Sequence, residues 1–131
     1  MIDQIMHRLV EHPDMVRVVI SDREGLLIAS ARGLAGAATA VDAALPDDLW
    51  NAYLAQYAAN ITLHLKNITL SRPLEMIVHG SSDSCIIAWL SAGWLIVRVR
   101  SGTDWPTMLA AVRDVQHGFD ELTGEPAYAR S

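Results

Sequence analysis

Hydrophobic residues recur at helical spacing near the start of the chain and then shift to short apolar runs. Residues 2–11 carry Ile2, Ile5, Met6, Leu9 and Val10 on one predicted helical face, and Pro13 ends that helix. Two apolar runs follow, Val16 to Ile20 and Leu26 to Ala29, separated by a polar stretch with Asp22 and Gly25. Since Asp and Gly favour turns, the two runs are predicted to form a β-hairpin.

The middle of the chain contains the longest helical pattern. The segment from Ala31 to Leu45 is rich in Gly and Ala and weakly patterned, so it is predicted to be a loop with at most a helical turn. Pro46, Asp47 and Asp48 then suit the positive end of a helix, and helical spacing continues to about Leu70. Arg72-Pro73 stops this second helix.

The remaining sequence predicts three strands and a closing helix. The strands are Leu74 to His79, Ser84 to Leu90 and Trp94 to Arg100, with turns at residues 80–83 and 91–93. In the last strand Leu95, Val97 and Val99 alternate with Arg98 and Arg100. The closing helix carries Trp105, Met108, Leu109, Val112, Val115, Phe119 and Leu122 at helical spacing until Gly124.

The predicted order is helix, two strands, helix, three strands, helix. This order indicates an α+β fold in which one five-stranded antiparallel sheet is covered by helices on its faces. The length of 131 residues suits a single domain, here residues 1–125, with residues 126–131 predicted to be a loose tail.

Composition narrows the classes of function. The chain is 51% hydrophobic but only 19% charged, which indicates more apolar surface than an ordinary core needs. The longest uncharged stretch of the apolar part, Ser84 to Val97, is shorter than the roughly 20 residues of a membrane-spanning helix. A net charge of −5 argues against nucleic acid, and the single Cys85 and the lack of a signal peptide favour a cytoplasmic protein.

No catalytic or metal-binding pattern emerges, so we expect no enzymatic activity, metal or cofactor. The five histidines, His7, His12, His64, His79 and His117, lack paired ligand spacing. Cys85 opens an apolar strand and is interpreted as a packing residue. The polar residues around Ser84 and His79 include hydrolase residue types without the Gly-x-Ser-x-Gly turn, and no phosphate-binding loop is present. Of the four tryptophans, Trp94 is predicted to be the most exposed.

Two stripes run along the long second helix. One stripe is predicted to be the core face: Trp50, Tyr53, Leu54, Tyr57, Ile61, Leu65 and Ile68. The other has the alternating three- and four-residue spacing of a helix seam: Leu49, Ala52, Gln56, Ala59, Leu63, Lys66 and Leu70. Lys66 is the only charged residue from Leu49 to Ser71, so the second stripe is predicted to contact a second copy of the chain, although loops of the same chain could also cover it.

The order of elements, together with the hairpin VVISDREGLLIAS from Val18 to Ser30, resembles the roadblock (dynein light chain) family over nearly the whole chain. The resemblance implies a roadblock/profilin-like sandwich and a homodimer formed by the second helix and the following edge strand, which adds Met76 and Val78 to the interface. It also implies pairing with a small Ras-like GTPase as an activating, exchange or scaffold partner. By analogy with the family, the exposed part of the second helix would be the GTPase face: Asp48, Asn51, Ala55, Thr62 and Lys66.

Two other functions stay open at this stage. A small-molecule sensor of the profilin type would need polar groups inside an apolar pocket, and the inward strand positions are almost purely apolar, with His79 as the main exception. A structural scaffold subunit that never contacts a GTPase would have the same sequence features.

Overall fold

A computed structural model describes residues 2–33, 47–68, 73–81 and 83–123. Its helices and strands follow the predicted order, which confirms the α+β class. They are α1 (Ile2–Val10), β1 (Met15–Asp22), β2 (Leu27–Arg32), α2 (Asp47–Asn67), β3 (Glu75–His79), β4 (Asp83–Leu90), β5 (Gly93–Arg100) and α3 (Trp105–Thr123).

The five strands form one antiparallel sheet with the order β2-β1-β5-β4-β3. The adjacent inner strands β1 and β5 are distant in sequence, while β2 and β3 lie at the two edges. The loop predicted from Ala31 onward starts later, because Ala31 and Arg32 continue β2 opposite Val18 and Arg17. Most of that predicted loop and the predicted tail, residues 126–131, lie outside the described residues.

Helices cover both faces of the sheet. On one face α1 and α3 bury a large cluster that includes Leu9, Ile20, Val97 and Met108. On the other face α2 covers a smaller cluster of Val19, Ala55, Ala58, Ile87, Trp89, Trp94 and Ile96. The alternation predicted in β5 is confirmed, since Leu95, Val97 and Val99 all belong to the first cluster.

The turn between β1 and β2 contains Asp22 and Gly25, the two residues from which the hairpin was predicted. The Asp22 carboxylate accepts hydrogen bonds from the backbone N–H groups of Glu24 and Leu26, each at 2.9 Å. Gly25 has a φ of 84°, a conformation that glycine adopts without the steric cost paid by other residues. This turn contacts α2 through Gly25.

At the opposite end of β1, an ion pair joins the start of this strand to the end of β5. Arg100 Nη2 lies 2.8 Å from Asp14 Oδ1, and this hydrogen bond holds the pKa of Asp14 below its usual value of 3.8. A lowered folded-state pKa means that the charged carboxylate stabilises the fold above the unfolded-state pKa, and that this stabilisation is lost as the pH falls through the folded-state pKa.

Asp14→Asn should therefore lower the free energy of unfolding at pH 7 by about 0.5 kcal/mol, a small value because both side chains are partly exposed. The difference from the parent should shrink as the pH falls below about 4. Urea unfolding at a series of pH values measures it, and a difference that grows on acidification would contradict this role.

Candidate interaction surface

Small and polar side chains of α2 face the sheet. Asn51 is buried and donates from Nδ2 to the carbonyl oxygen of Gly25 at 3.0 Å. Ala55 and Ala58 are also buried, which lets the helix backbone lie close to the strands. Near its C-terminal end, α2 presents the Thr62 hydroxyl, which accepts a hydrogen bond from Trp89 Nε1 at 2.8 Å. The helix is thus fixed by two side-chain hydrogen bonds, one to the β1–β2 turn and one to β4.

The predicted core stripe of α2 is partly wrong. Tyr53, Tyr57 and Ile68 are 63%, 46% and 65% exposed. The other four members, Trp50, Leu54, Ile61 and Leu65, are half-buried. The helix is rotated because Asn51 and Thr62 find hydrogen-bond partners beneath it and the alanines allow close approach. The recurrence of Asn51, Ala55, Ala58 and Thr62 at helical spacing is the sequence signal that could have identified the buried face.

The orientation of α2 also decides which of the residues predicted to contact a GTPase are exposed. Asn51 and Ala55 are buried against the sheet and are not available to a partner. Thr62 is half-buried and bonded to Trp89, while Lys66 is exposed. Asp48 lies in the first turn of α2, and its side chain lies outside the described residues. Only Lys66 among the described members therefore stays a candidate contact on the exposed surface.

The stripe predicted to contact a second copy lies along one exposed side of α2, next to the β1–β2 and β4–β5 turns. Ala52, Gln56, Ala59 and Leu63 are all exposed, and Lys66 follows them. Leu49 lies in α2 but its side chain is not described, and Leu70 lies outside the described residues. With Tyr53 and Tyr57 also exposed, the outer surface of α2 carries large apolar groups and little charge, a pattern typical of protein–protein contact.

The edge strand β3 supplies the other part of this candidate surface. It pairs only with β4 among the described strands, so its outer edge is open to another strand. Val78 is exposed and Met76 is half-buried, both on the face of the sheet that α2 covers. Leu74, just before β3, is also an exposed apolar residue.

The polar groups near β4 contact one another and the start of α3. His79 Nδ1 lies 3.2 Å from the Ser84 hydroxyl, and its ring meets Trp105 edge-on with 5.1 Å between ring centroids. Burial raises the pKa of the Cys85 thiol to about 12, so this side chain is protonated and unreactive at neutral pH. Over the described ranges no three His, Cys, Asp or Glu side chains are grouped to hold a metal ion.

Two side chains differ from the predicted burial. Trp94 is only 8% exposed and belongs to the cluster under α2, so its predicted exposure is wrong. His79 is exposed at the sheet edge and does not point into the core.

Arg17, in β1, is a polar residue that the sequence did not single out. It is buried, and its guanidinium lies 5.0 Å from the Trp50 ring. A cation over an indole face gains electrostatic stabilisation, which helps to explain how the charge is accommodated.

An open groove of about 450 Å³ lies between α2 and the β4–β5 turn. Its lining includes Arg23, Ala59, Thr62, Trp89 and Trp94. Arg23 is held in place by donating to the carbonyl oxygen of Ser91, whose own N–H donates to the buried Asp120 carboxylate at 2.9 Å. The β4–β5 turn therefore borders the groove. Asp120 of α3 binds this turn from the other face of the sheet.

Thr62→Val should destabilise the fold by about 1–2 kcal/mol, because the buried Trp89 indole N–H would lose its acceptor. Thr62→Ser keeps the hydroxyl and serves as the control. Urea unfolding of both variants measures the difference, and equal losses for Val and Ser would show that the hydrogen bond contributes little.

In the part of the chain that the structure describes, no helix is long and apolar enough to cross a membrane.

Comparison with known proteins gives structural relatives only. No protein-family model matches the sequence, and neither does any curated protein. MglB of Myxococcus xanthus has a similar structure, with a TM-score of 0.81 and 17% sequence identity over 94% of this chain and 87% of that chain. The gliding protein MglB of Thermus thermophilus gives a TM-score of 0.73 at 13% identity, over 92% of this chain and 86% of that chain. A Roadblock/LC7 domain from Streptomyces avermitilis gives 0.66 at 16% identity, over 92% of this chain and 97% of that chain. This likeness covers nearly the whole chain, so the protein has a prokaryotic roadblock-type fold.

Proposed function

We propose that this protein is a non-enzymatic homodimeric interaction module that binds and regulates a small Ras-like GTPase. The observation that carries the proposal is the exposed, almost uncharged outer face of α2 beside the open edge of β3, in a chain with a roadblock-type fold. The roadblock family resemblance supplies the class of partner.

The homodimer is proposed to form through Leu49, Ala52, Gln56, Ala59, Leu63 and Leu70 of the long helix and Met76 and Val78 of the edge strand. Among those with described side chains, the helix members are all exposed, and Val78 is exposed with Met76 half-buried beside it. One solved relative is described as MglB with a tetrameric arrangement, at 13% identity and a TM-score of 0.73, so self-association occurs on this fold.

The GTPase face is proposed to lie on the outer surface of the two long helices in the dimer. Lys66 stays in this proposal, whereas Asn51 and Ala55 are removed from it by their burial. Such a module would change the conformation of the GTPase switch loops, and no arginine of this chain is proposed to act in the GTPase active site.

The experiment pairs this protein with Ras-like GTPases purified from the same organism. GTP hydrolysis and nucleotide exchange are measured with and without this chain, and we expect at least one rate to change by about tenfold or more. The Lys66→Glu variant should reduce that change. No effect on either rate would leave only the scaffold role and would overturn regulation.

A small-molecule sensor is the second candidate, and one observation favours it. The groove beside α2 has a volume within the range of about 300–1,000 Å³ found for ligand sites. A thermal-shift screen against common metabolites tests it: a ligand that raises Tm in the parent chain but not in Arg23→Ala would support the sensor, and the absence of any such ligand would remove it.

A further inference from the structure

Two cavities meet along one side of α2. The groove of about 450 Å³ described above is joined by a second cavity of about 300 Å³, which lies between α2 and the β1–β2 turn. Both cavities are lined by Arg23, Ala59 and Trp94, so these three residues lie where the cavities meet. A molecule in either cavity would therefore contact the same side chains.

Arg23 holds a positive charge in a fixed position at this junction. Its Nε and Nη2 atoms both donate to the carbonyl oxygen of Ser91, the first at 3.1 Å. Among the described residues, no carboxylate lies within ion-pair distance of this guanidinium. The N–H groups that remain include the fork formed by Nη1 and Nη2, which matches the two oxygens of a carboxylate.

Trp94 supplies a second donor at the same junction. Its side chain is 8% exposed, and its Nε1–H is buried without a hydrogen-bond acceptor. A buried donor without an acceptor is unfavourable, and a ligand oxygen that reaches this N–H would relieve that cost. One charged and one neutral donor are together complementary to a single carboxylate.

The walls of the larger cavity favour an apolar group behind that carboxylate. Trp89 and Ala59 supply apolar surface. The Thr62 hydroxyl also lines this cavity, but it donates to the carbonyl oxygen of Ala58 and accepts from Trp89 Nε1, each at 2.8 Å. Its hydrogen bonds are therefore made within the chain. Glu24 lines only the smaller cavity, where its negative charge would disfavour an anion.

We propose that this junction binds a small monocarboxylate with an apolar body. Arg23 and Trp94 bind the carboxylate, and the body lies in the larger cavity beside Trp89. This inference rests on the small-molecule sensor, the second candidate of the proposed function, and specifies the class of its ligand.

Titration with octanoate tests the class of ligand, and octan-1-ol is the neutral analogue with the same chain length. Binding is followed by NMR through the indole N–H resonances of ¹⁵N-labelled protein, and the Trp94→Phe variant identifies the Trp94 resonance. We expect octanoate to bind with a Kd of about 1 mM or below and to shift that resonance. Octan-1-ol should bind at least about tenfold more weakly, because it lacks the charge that Arg23 recognises.

Arg23→Gln tests the role of the guanidinium. This variant should bind octanoate about tenfold or more weakly than the parent and should bind octan-1-ol equally well. Arg8→Gln is the matched control, because Arg8 is exposed on α1, which covers the opposite face of the sheet, and its loss should leave octanoate binding unchanged. Circular dichroism establishes that the variants are folded.

Three results would overturn the carboxylate site. They are equal binding of octanoate and octan-1-ol to the parent, octanoate binding by Arg23→Gln as tight as that of the parent, and no octanoate binding at about 10 mM.

These outcomes are distinct from failure of the proposed function. A neutral ligand whose effect on Tm depends on Arg23, found while octanoate does not bind, would reject the carboxylate and uphold the sensor. Because octanoate binding is measured on this chain alone, it also stands apart from any effect on GTP hydrolysis or exchange.

Discussion

Ala59→Glu should convert the proposed homodimer into a monomer. Ala59 lies in the middle of the exposed stripe on α2 that is proposed to contact the second copy. A carboxylate there would be desolvated beside an apolar helix without a partner, which costs several kcal/mol and would weaken dimerisation about 100-fold or more. Sedimentation equilibrium should show the mass falling from about 29 kDa, twice the chain mass, to 14.3 kDa.

Ala110→Glu is the matched control for this substitution. Ala110 is exposed on α3, which covers the opposite face of the sheet from α2, so the same charge should remain in water and the proposed dimer should persist. If Ala59→Glu precipitates and the control variant stays soluble, the result also agrees with loss of the dimer, because the apolar surface of α2 would then be exposed to water. An Ala59→Glu dimer with an unchanged dissociation constant would reject the proposed seam.

Gly93→Ala should cause the largest loss of stability among single-methyl changes in the strands. Gly93 begins β5 directly opposite Asp22, and an added Cβ would collide with the backbone carbonyl of Ser21. Because β1 and β5 are adjacent inner strands of the sheet, they would have to separate locally. We expect a loss of about 3 kcal/mol in the free energy of unfolding or failure to fold, measured by urea denaturation.

Gly102→Ala controls for the general cost of replacing a glycine. Gly102 has a φ of 80°, but an added Cβ would meet no atom within 4 Å. Its substitution should therefore cost about 1 kcal/mol, from backbone conformation alone. Equal losses for the two glycines would show that the close approach at Ser21 is relieved without separating the strands.

The order of elements could be predicted because each depends on a local pattern. The shift from helical spacing to short apolar runs identified every described helix and strand, and Asp22 and Gly25 identified the β1–β2 turn. The end of β2 was placed too early because Ala31 and Arg32 have no strong strand preference. They extend the strand because they pair with β1, which is a long-range contact.

The rotation of α2 could not be predicted from hydrophobic spacing. Large apolar groups dominate such a projection, and they place Tyr53 and Tyr57 toward the core. The actual buried face is set by Asn51 and Thr62, whose partners lie on the β1–β2 turn and on β4. A buried polar side chain is stable only with such partners, and the sequence does not show which residues of the fold supply them.

The burial of Arg17 and Trp94, two residues of the sheet, also could not be predicted from the local sequence. Trp94 follows a turn and was expected to be the most exposed tryptophan, and no role was predicted for Arg17, since arginine is seldom buried. Arg17 instead lies against Trp50 of α2, and Trp94 lies under the same helix. Ala52, Gln56, Ala59 and Leu63 are exposed on α2, and their contact with a second copy stays a prediction.

The most direct test of the central claim is the mass of a complex with a Ras-like GTPase of the same organism. The GTPase is loaded with a non-hydrolysable GTP analogue or with GDP, mixed with this chain, and examined by analytical ultracentrifugation. The account predicts a complex that contains two copies of this chain in at least one nucleotide state, and no such complex with Ala59→Glu. Separate sedimentation of the two proteins in both nucleotide states would contradict it.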